Sequence, residues 1–535
     1  MPTRWTAKTW TLVAAVLGSS VVFLDYSVLS VALPAIGREP RLFVDVLEGQ
    51  NYIQYGYLLT LSAFLVLAGA LSDYYGRKRV FVIGLIGFAV TSLLCAIAPN
   101  VEFLIVARLF QGASGAVLVP GSLAVLTTNF EGAEQGRAFG VWAASTALAP
   151  IVGPFIGGVL VDTLSWRWIF LLNLPLVAVA TWAALRYMKE SRDDQANGRF
   201  DWLGALLVAL AVGGLSFGAI YGQQRQWQDP IAFVALGVGT LATVGLPLYF
   251  RWARNPLVPL SLFRSRNFSV TNVSTLLIYG ALYVLLFFQV LFMQGTLGYS
   301  ATATGLSQIP GPLFLVLLST RFGAWAAKAG PRWFMTFGPL LMALAILWLV
   351  RIPSNSAPWL FDVADPATYL PSTGYLVDIL PSQLVFGLGL SMMVAPLTTA
   401  LMRSVSERVS GLASAINNAI SRVGPQLAGA LIFVVISIAF YNSLHALAPS
   451  LDVDSPQVRR EYQPLNPAPA TADQAVVTAV RSASTDAFHL AMLVSAGLLL
   501  AGAAVNGAFI SNRQALAGAE GGEGSLEETP TPSGA

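Results

Sequence analysis

The chain has 535 residues, of which 55% are hydrophobic and only 11% charged, with a mean hydropathy of +0.66. A soluble domain carries about 25% charged residues to hold its surface in water, so most of this surface must face lipid. A net charge of +3, one cysteine and two histidines argue against a nucleic-acid partner, a disulfide framework and a metal centre.

Enzymatic readings find no footing either. None of the four lysines (Lys8, Lys78, Lys189, Lys328) closes a GxxxxGK[ST] loop, and no GxSxG turn occurs. A membrane span needs about 20 apolar residues to cross about 30 Å of hydrocarbon. In chain order, windows of that kind fall at 10–35, 52–71, 80–98, 102–126, 137–161, 168–187, 202–221, 231–250, 270–293, 302–327, 333–351, 378–402, 411–437 and 487–510. These predict about fourteen transmembrane helices. The first follows Arg4 and Lys8 as a signal peptide would, but it is too long and Asp25 interrupts it.

Basic residues alternate from loop to loop. Arg77, Lys78, Arg79, Arg186, Lys189, Arg251, Arg264, Arg266, Arg321, Lys328 and Arg332 all fall on the side of the termini. Of 30 basic residues, about 20 lie on that side, about 8 opposite and two within spans. The positive-inside rule then predicts cytoplasmic termini. Trp10, Trp202, Trp252 and Trp333 mark that interface, and Trp168 and Trp227 the other.

The expected organisation is a six-helix bundle over 1–190, an inserted two-helix hairpin with its linkers over 191–255, and a second six-helix bundle over 256–512. The second bundle carries extracytoplasmic loops at 352–377 and 438–486, the latter with a short helix near 473–484. The Gly/Glu/Pro-rich segment 513–535 reads as a disordered cytoplasmic tail. The two bundles repeat each other: Gly153-Pro154 and Gly158 match Gly424-Pro425 and Gly429, and Gly69, Gly76 and Lys78 match Gly323, Gly330 and Arg332. Repeated bundles suit a transporter that rocks about a central site.

Asp25 is the one acid placed deep in a span, where an unpaired carboxylate costs several kcal/mol. It must pair, face a cavity or bind a proton. Arg108 in the fourth span lies at a depth matching within about 5 Å at 1.5 Å rise per residue. Desolvation and a nearby cation act oppositely on a carboxylate, so small movements can switch its protonation. Arg422, near the middle of the thirteenth span with Asn417 and Asn418, together with Tyr279, Tyr283 and Gln289 of the ninth and Trp142 of the fifth, is the candidate substrate wall. Gly69, Asp73, Gly76, Arg77 and Lys78 form a tight basic loop suited to gating, with Asp73 able to pair with Arg77 or cap a helix. Gly153, Pro154, Gly157 and Gly158 act through the backbone, allowing close helix approach.

These segments resemble the major facilitator superfamily, in its fourteen-span drug:proton antiporter branch, over nearly the whole chain. Gly69-Ala-Leu-Ser-Asp73 through Arg79 resembles that superfamily's loop between spans two and three. Leu24-Asp25 through Pro34, Arg108-Leu-Phe-Gln111-Gly112-Ala-Ser-Gly115, Pro150 through Gly158, and Trp166-Arg-Trp-Ile-Phe170 with Asn173 and Pro175 are similar to further segments of the branch. Leu262-Phe-Arg264 and Gly298-Tyr-Ser300 belong with them. Three departures stand out: Ala149 replaces a glycine of the fifth-span motif, Ala327 replaces the acid of the second-half loop, and later spans lack the extra carboxylates of members exporting dicationic drugs.

The resemblance implies an all-α major facilitator fold of two six-helix bundles with two additional central helices. It implies no enzyme but a secondary transporter of the plasma or inner membrane. That transporter would exchange protons for amphipathic organic compounds by alternating access, with Asp25 and Arg108 as the coupling pair. The proton gradient is the expected energy source, with no cofactor, and the bilayer, the substrate and the proton are the expected partners of a monomer. A dedicated exporter of a lipid, siderophore or metabolite, or a transporter-like receptor that moves nothing, remains open at this point.

Overall fold

A computed structural model describes residues 6–39, 46–130, 132–191, 200–224, 229–253, 256–258, 260–405 and 410–512. Trp227 and the tail 513–535 lie outside them. Regular structure among the described residues is helical, as a lipid solvent demands: helices satisfy every backbone polar group within the segment.

The first half comprises α1 (Ala7–Gly37), α2 (Val46–Tyr75), α3 (Arg77–Ala96), α4 (Val101–Asn129), α5 (Gly132–Thr163) and α6 (Asn173–Tyr187). The inserted pair is α7 (Trp202–Gln224) and α8 (Pro230–Trp252). The second half comprises α9 (Arg266–Leu291), α10 (Pro310–Ala329), α11 (Arg332–Leu349), α12 (Leu380–Arg403), α13 (Ser410–Leu447) and α14 (Gln474–Phe509). Thirteen helical segments among the described residues are long and apolar enough to cross a bilayer. α5, with its shorter apolar stretch Val152–Thr163, takes the fifth place.

Local chemistry sets the ends. The Thr6, Asn100, Ser265 and Ser300 side chains accept from the backbone N–H three residues on, each satisfying an orphan donor of a first turn. Gly76 (φ 109°) and Gly330 (φ 88°) make the turns before α3 and α11 in a conformation that side chains other than glycine rarely adopt.

The halves pack alike. α1 lies on α5 and α6, α2 on α4, and α3 on α4 and α6; correspondingly α9 lies on α13 and α14, α10 on α12, and α11 on α12 and α14. Between halves, α2 packs on α13, and α5 on the short helix Ala301–Ser307 and on α10. α7 and α8 form a tight hairpin, and α7 leans on both α2 and α13.

Two sequence expectations need correction. Residues 474–486 are not a separate short helix but the first turns of α14, because their apolar residues (Ala479, Val480, Ala483) stay in register with the helix that follows and are buried. α13 likewise runs on to Leu447, which shortens the second loop to 448–473. That loop folds onto its own half: the Leu465 N–H donates to Ser484 Oγ at 3.2 Å, and the Leu465 side chain is buried. The face bearing these loops is called the loop face below, and the opposite one the basic face.

Candidate functional site

Asp25 of α1 and Arg108 of α4 form a buried ion pair, with Asp25 3% and Arg108 0% exposed. Asp25 Oδ1 also accepts from Gln111 Nε2 at 3.1 Å and from Asn173 Nδ2 at 2.7 Å. Both amides donate to Ser92 Oγ as well, at 2.7 and 3.0 Å. Arg108 Nη1 donates to Gln111 Oε1 at 2.7 Å, Nε donates to Ile53 O at 3.3 Å, and the guanidinium lies 4.2 Å from the Tyr57 ring centre. α4 and α6 thus meet on one carboxylate of α1, and α2 and α3 join the network through Arg108 and the two amides.

Such a pair holds in low dielectric only when added hydrogen bonds offset desolvation. Here the offset is incomplete, since Arg108 Nη2 and Asn173 Oδ1 have no partner in this network. The donor set, one guanidinium and two amides, matches a carboxylate rather than a carboxylic acid. Gln111 and Asn173 stand in motifs legible in the sequence yet carried no assigned role there. The signal available was the polar amide inside an apolar window, together with the Arg108/Gln111 spacing that puts both on one helix face.

Between the halves lies a second polar group. Tyr26 of α1 meets Tyr283 of α9 at 5.4 Å between ring centres, and Tyr283 lies 6.3 Å from Tyr279. Gln54 of α2 lies beside the Tyr26 hydroxyl, and Arg422 of α13 lies near Tyr26 and Tyr279. The Arg422 guanidinium sits 5.4 Å from the Phe23 ring centre. Tyr55 of α2 packs on Phe287 at 5.3 Å. The structure therefore brings Tyr279, Tyr283 and Arg422 together and adds Phe23, Tyr26, Gln54 and Tyr55 from the first half.

The other candidates of that wall are engaged elsewhere. Gln289 accepts from Gln383 of α12 at 3.3 Å, inside the second half. Asn417 donates to Asn272 Oδ1 at 3.1 Å and Thr275 Oγ1 at 2.9 Å, tying α13 to α9. Asn418, next along the helix, is exposed. Trp142 Nε1 donates to Ser19 and Ser122 at 3.0 and 3.1 Å, a packing contact among α1, α4 and α5. Spacing in the sequence gives the position of each residue along its helix but not the neighbour it faces.

On the basic face the loop after α2 is clasped to the end of α6. Glu190 accepts from the Lys78 and Arg79 N–H groups at 3.0 and 3.1 Å, so its carboxylate caps α3. Lys78 Nζ in turn donates to the Leu185 and Met188 carbonyls at 2.9 and 2.8 Å, and the Arg77 N–H donates to Ser191 O at 2.8 Å. The second half repeats the device. Asn512 Oδ1 accepts from the Arg332 N–H at 3.1 Å, and Arg332 Nε donates to Gly507 O at 2.7 Å. Gly69 brings α2 near Pro120 of α4. The Asp73 side chain lies outside the described residues.

The glycines mark close approaches. A Cβ on Gly153 would strike Ser27, and one on Gly157 would lie 2.8 Å from Val28 O, both on α1. Gly424, the repeat mate of Gly153, abuts Leu276 of α9. Gly158 and Gly429 face the other half: their Cβ atoms would lie 2.6 Å from Thr302 Cα and 3.1 Å from the Tyr55 hydroxyl. Gly305 in turn abuts the Pro154 carbonyl. Beside this seam Asp162 of α5 accepts from the Thr302 N–H at 2.8 Å and its hydroxyl at 2.6 Å. Gln294 Nε2 donates to Val31 O at 3.1 Å. Arg38 stands near Asp162. These contacts close the loop face.

A buried ion pair within one half and a polar group shared between two repeated bundles suit a protein that moves a solute, and the comparisons with known proteins point the same way. The Major Facilitator Superfamily model matches residues 15–451. The chain is 31% identical to multidrug resistance protein Stp of Mycobacterium tuberculosis, covering 80% of this chain and 75% of that protein. It is 30% identical to the methylenomycin A resistance protein of Bacillus subtilis, covering 80% and 87%. A crystal structure of a bacterial homologue of the human lysosomal transporter Spinster, inward-facing and unoccupied, superposes with a TM-score of 0.62 at 15% identity over 96% of this chain and 99% of that one, a likeness of fold. The match over most of the chain and the repeated six-helix bundles place this transporter in the major facilitator superfamily.

Proposed function

We propose that the protein exports small amphipathic organic compounds in exchange for protons, by alternating access across the cytoplasmic membrane. The observation that carries this reading is Asp25, the one acid deep within a span among the described residues, held by Arg108 and two amides. An ionised Asp25 grips α4 and α6 together; a protonated one loses its claim on Arg108. Proton occupancy and helix packing are thereby linked, and a substrate that favours one packing shifts proton affinity reciprocally.

The alternation of basic residues supports cytoplasmic termini, which makes the closed loop face the outer one. The names of relatives, multidrug and methylenomycin A resistance, support a drug-like organic substrate moved outward. The proton gradient suffices as energy source: a potential of 100 mV is worth about 2.3 kcal/mol per charge, or nearly fifty-fold accumulation per proton. One chain holds both halves of the site, so a monomer suffices.

The test is flux in proteoliposomes under an imposed pH gradient, with a panel of fluorescent amphiphiles and proton flux recorded together. Uphill movement of at least one compound, tied to proton counterflow and absent in Asp25→Asn, is the expected result. Substrate accumulation that ignores the pH gradient would overturn it.

A further inference from the structure

The group between the halves has a charge that nothing in it balances. Arg422 is 7% exposed, and no carboxylate among the described residues pairs with it. Its guanidinium lies over the face of Phe23. The nearest deep acid, Asp25, is committed to Arg108 and sealed with it inside the first half. A guanidinium in hydrocarbon is costly to keep charged without a counter-ion or water, yet arginine does not give up its proton.

On its own helix, and on α2 packed against that helix, lie buried polar atoms with no partner. Both side-chain polar atoms of Gln426 are unsatisfied, as are Gln54 Oε1 and the Tyr55 hydroxyl. Arg422, Gln426 and Gly429 follow at helical spacing on one face of α13, and that face meets Phe23 of α1 and Tyr55 of α2. Four orphaned polar atoms and an arginine without a carboxylate, placed where the two halves meet, cost free energy that a bound ligand would return. Their neighbours Phe23, Tyr26, Tyr279 and Tyr283 offer ring faces to an aromatic or apolar body.

We propose that this site takes a monoanionic aromatic amphiphile, its carboxylate or comparable anionic head on Arg422 and its neutral polar groups on Gln426, Gln54 and Tyr55. The inference rests on the export reading above and narrows its substrate class. Export of a monoanion against an incoming proton carries two charges in the direction an inside-negative potential favours. Transport of such a substrate is therefore electrogenic, and that of a neutral analogue less so.

The experiment uses the full-length protein in nanodiscs and three naphthalene probes of matched size bearing a carboxylate, a carboxamide or a trimethylammonium group. Wild type should bind the carboxylate about tenfold or more tighter than the ammonium, the worth of one charge-assisted contact. Arg422→Gln should erase that preference while leaving carboxamide affinity within about twofold, and Arg422→Lys should retain it in part. A wild type that prefers the ammonium, or an Arg422→Gln that weakens all three probes alike, would overturn the proposal. Proteoliposome flux separates this from the export reading. Carboxylate that binds selectively but is not pumped by a pH gradient leaves the anion site standing and removes proton coupling. Carboxamide and ammonium pumped while carboxylate is refused does the reverse.

Discussion

Asp25 is gripped from two sides: Arg108 of α4 pairs with Oδ2, and Asn173 of α6 donates to Oδ1 at 2.7 Å. α6 is the last helix of the first half, so its position is tied to the charge on a residue of the first. Loss of the carboxylate's charge therefore loosens both contacts at once. Asp25→Asn should abolish pH-driven uphill export. It also leaves Arg108 a buried charge without its partner, at a cost of about 3–5 kcal/mol in stability. The double variant Asp25→Asn, Arg108→Gln should recover much of that stability but none of the coupling, as read by thermal unfolding alongside flux. Uphill export by the double variant would show that coupling resides elsewhere.

The clasp on the basic face predicts a paired effect. Glu190→Ala removes the cap of α3 and Asn512→Ala that of α11, each costing about 0.5–2 kcal/mol. The two sites lie in different halves, so the losses should add. Strong non-additivity in denaturation of the double variant would mean that the two ends communicate directly.

The seam on the loop face offers a conformational test. Gly158→Leu places bulk where a Cβ alone would come within 2.6 Å of Thr302 Cα, so it should force the loop face open. Asp162→Asn, which weakens the hold on Thr302, should do so to a smaller degree. Cys95 is buried, so a reporter cysteine at buried Gln294 can be read by an impermeant maleimide added on the side of the loop face. Labelling of Gln294→Cys should rise several-fold with Gly158→Leu; unchanged labelling would place the seam elsewhere.

Topology is checked independently of transport. Reporter fusions after Lys189 should read cytoplasmic and those after Arg460 external, because basic residues concentrate on the face of Lys189. The reverse pattern would invert the sidedness proposed for every gate above.

Several features were open to sequence alone because they rest on composition and spacing. Apolar windows about 20 residues long marked the spans, and the spacing of Gly76 and Lys78 against Gly330 and Arg332 marked the repeat. The depth match of Asp25 and Arg108 depended only on helix rise, so their meeting was readable in one dimension. What a helix faces is a rotation about its axis, and the hydrophobic pattern of a membrane protein hardly records it, since lipid and protein interior are equally apolar. Tertiary structure alone therefore decided that Asn173 and Gln111 complete the Asp25 network. It also turned Asn417 to Asn272, Gln289 to Gln383 and Trp142 to two serines. Glu190 belongs to the same class: it is a polar residue in a linker by sequence, and a helix cap only because α6 ends beside the start of α3.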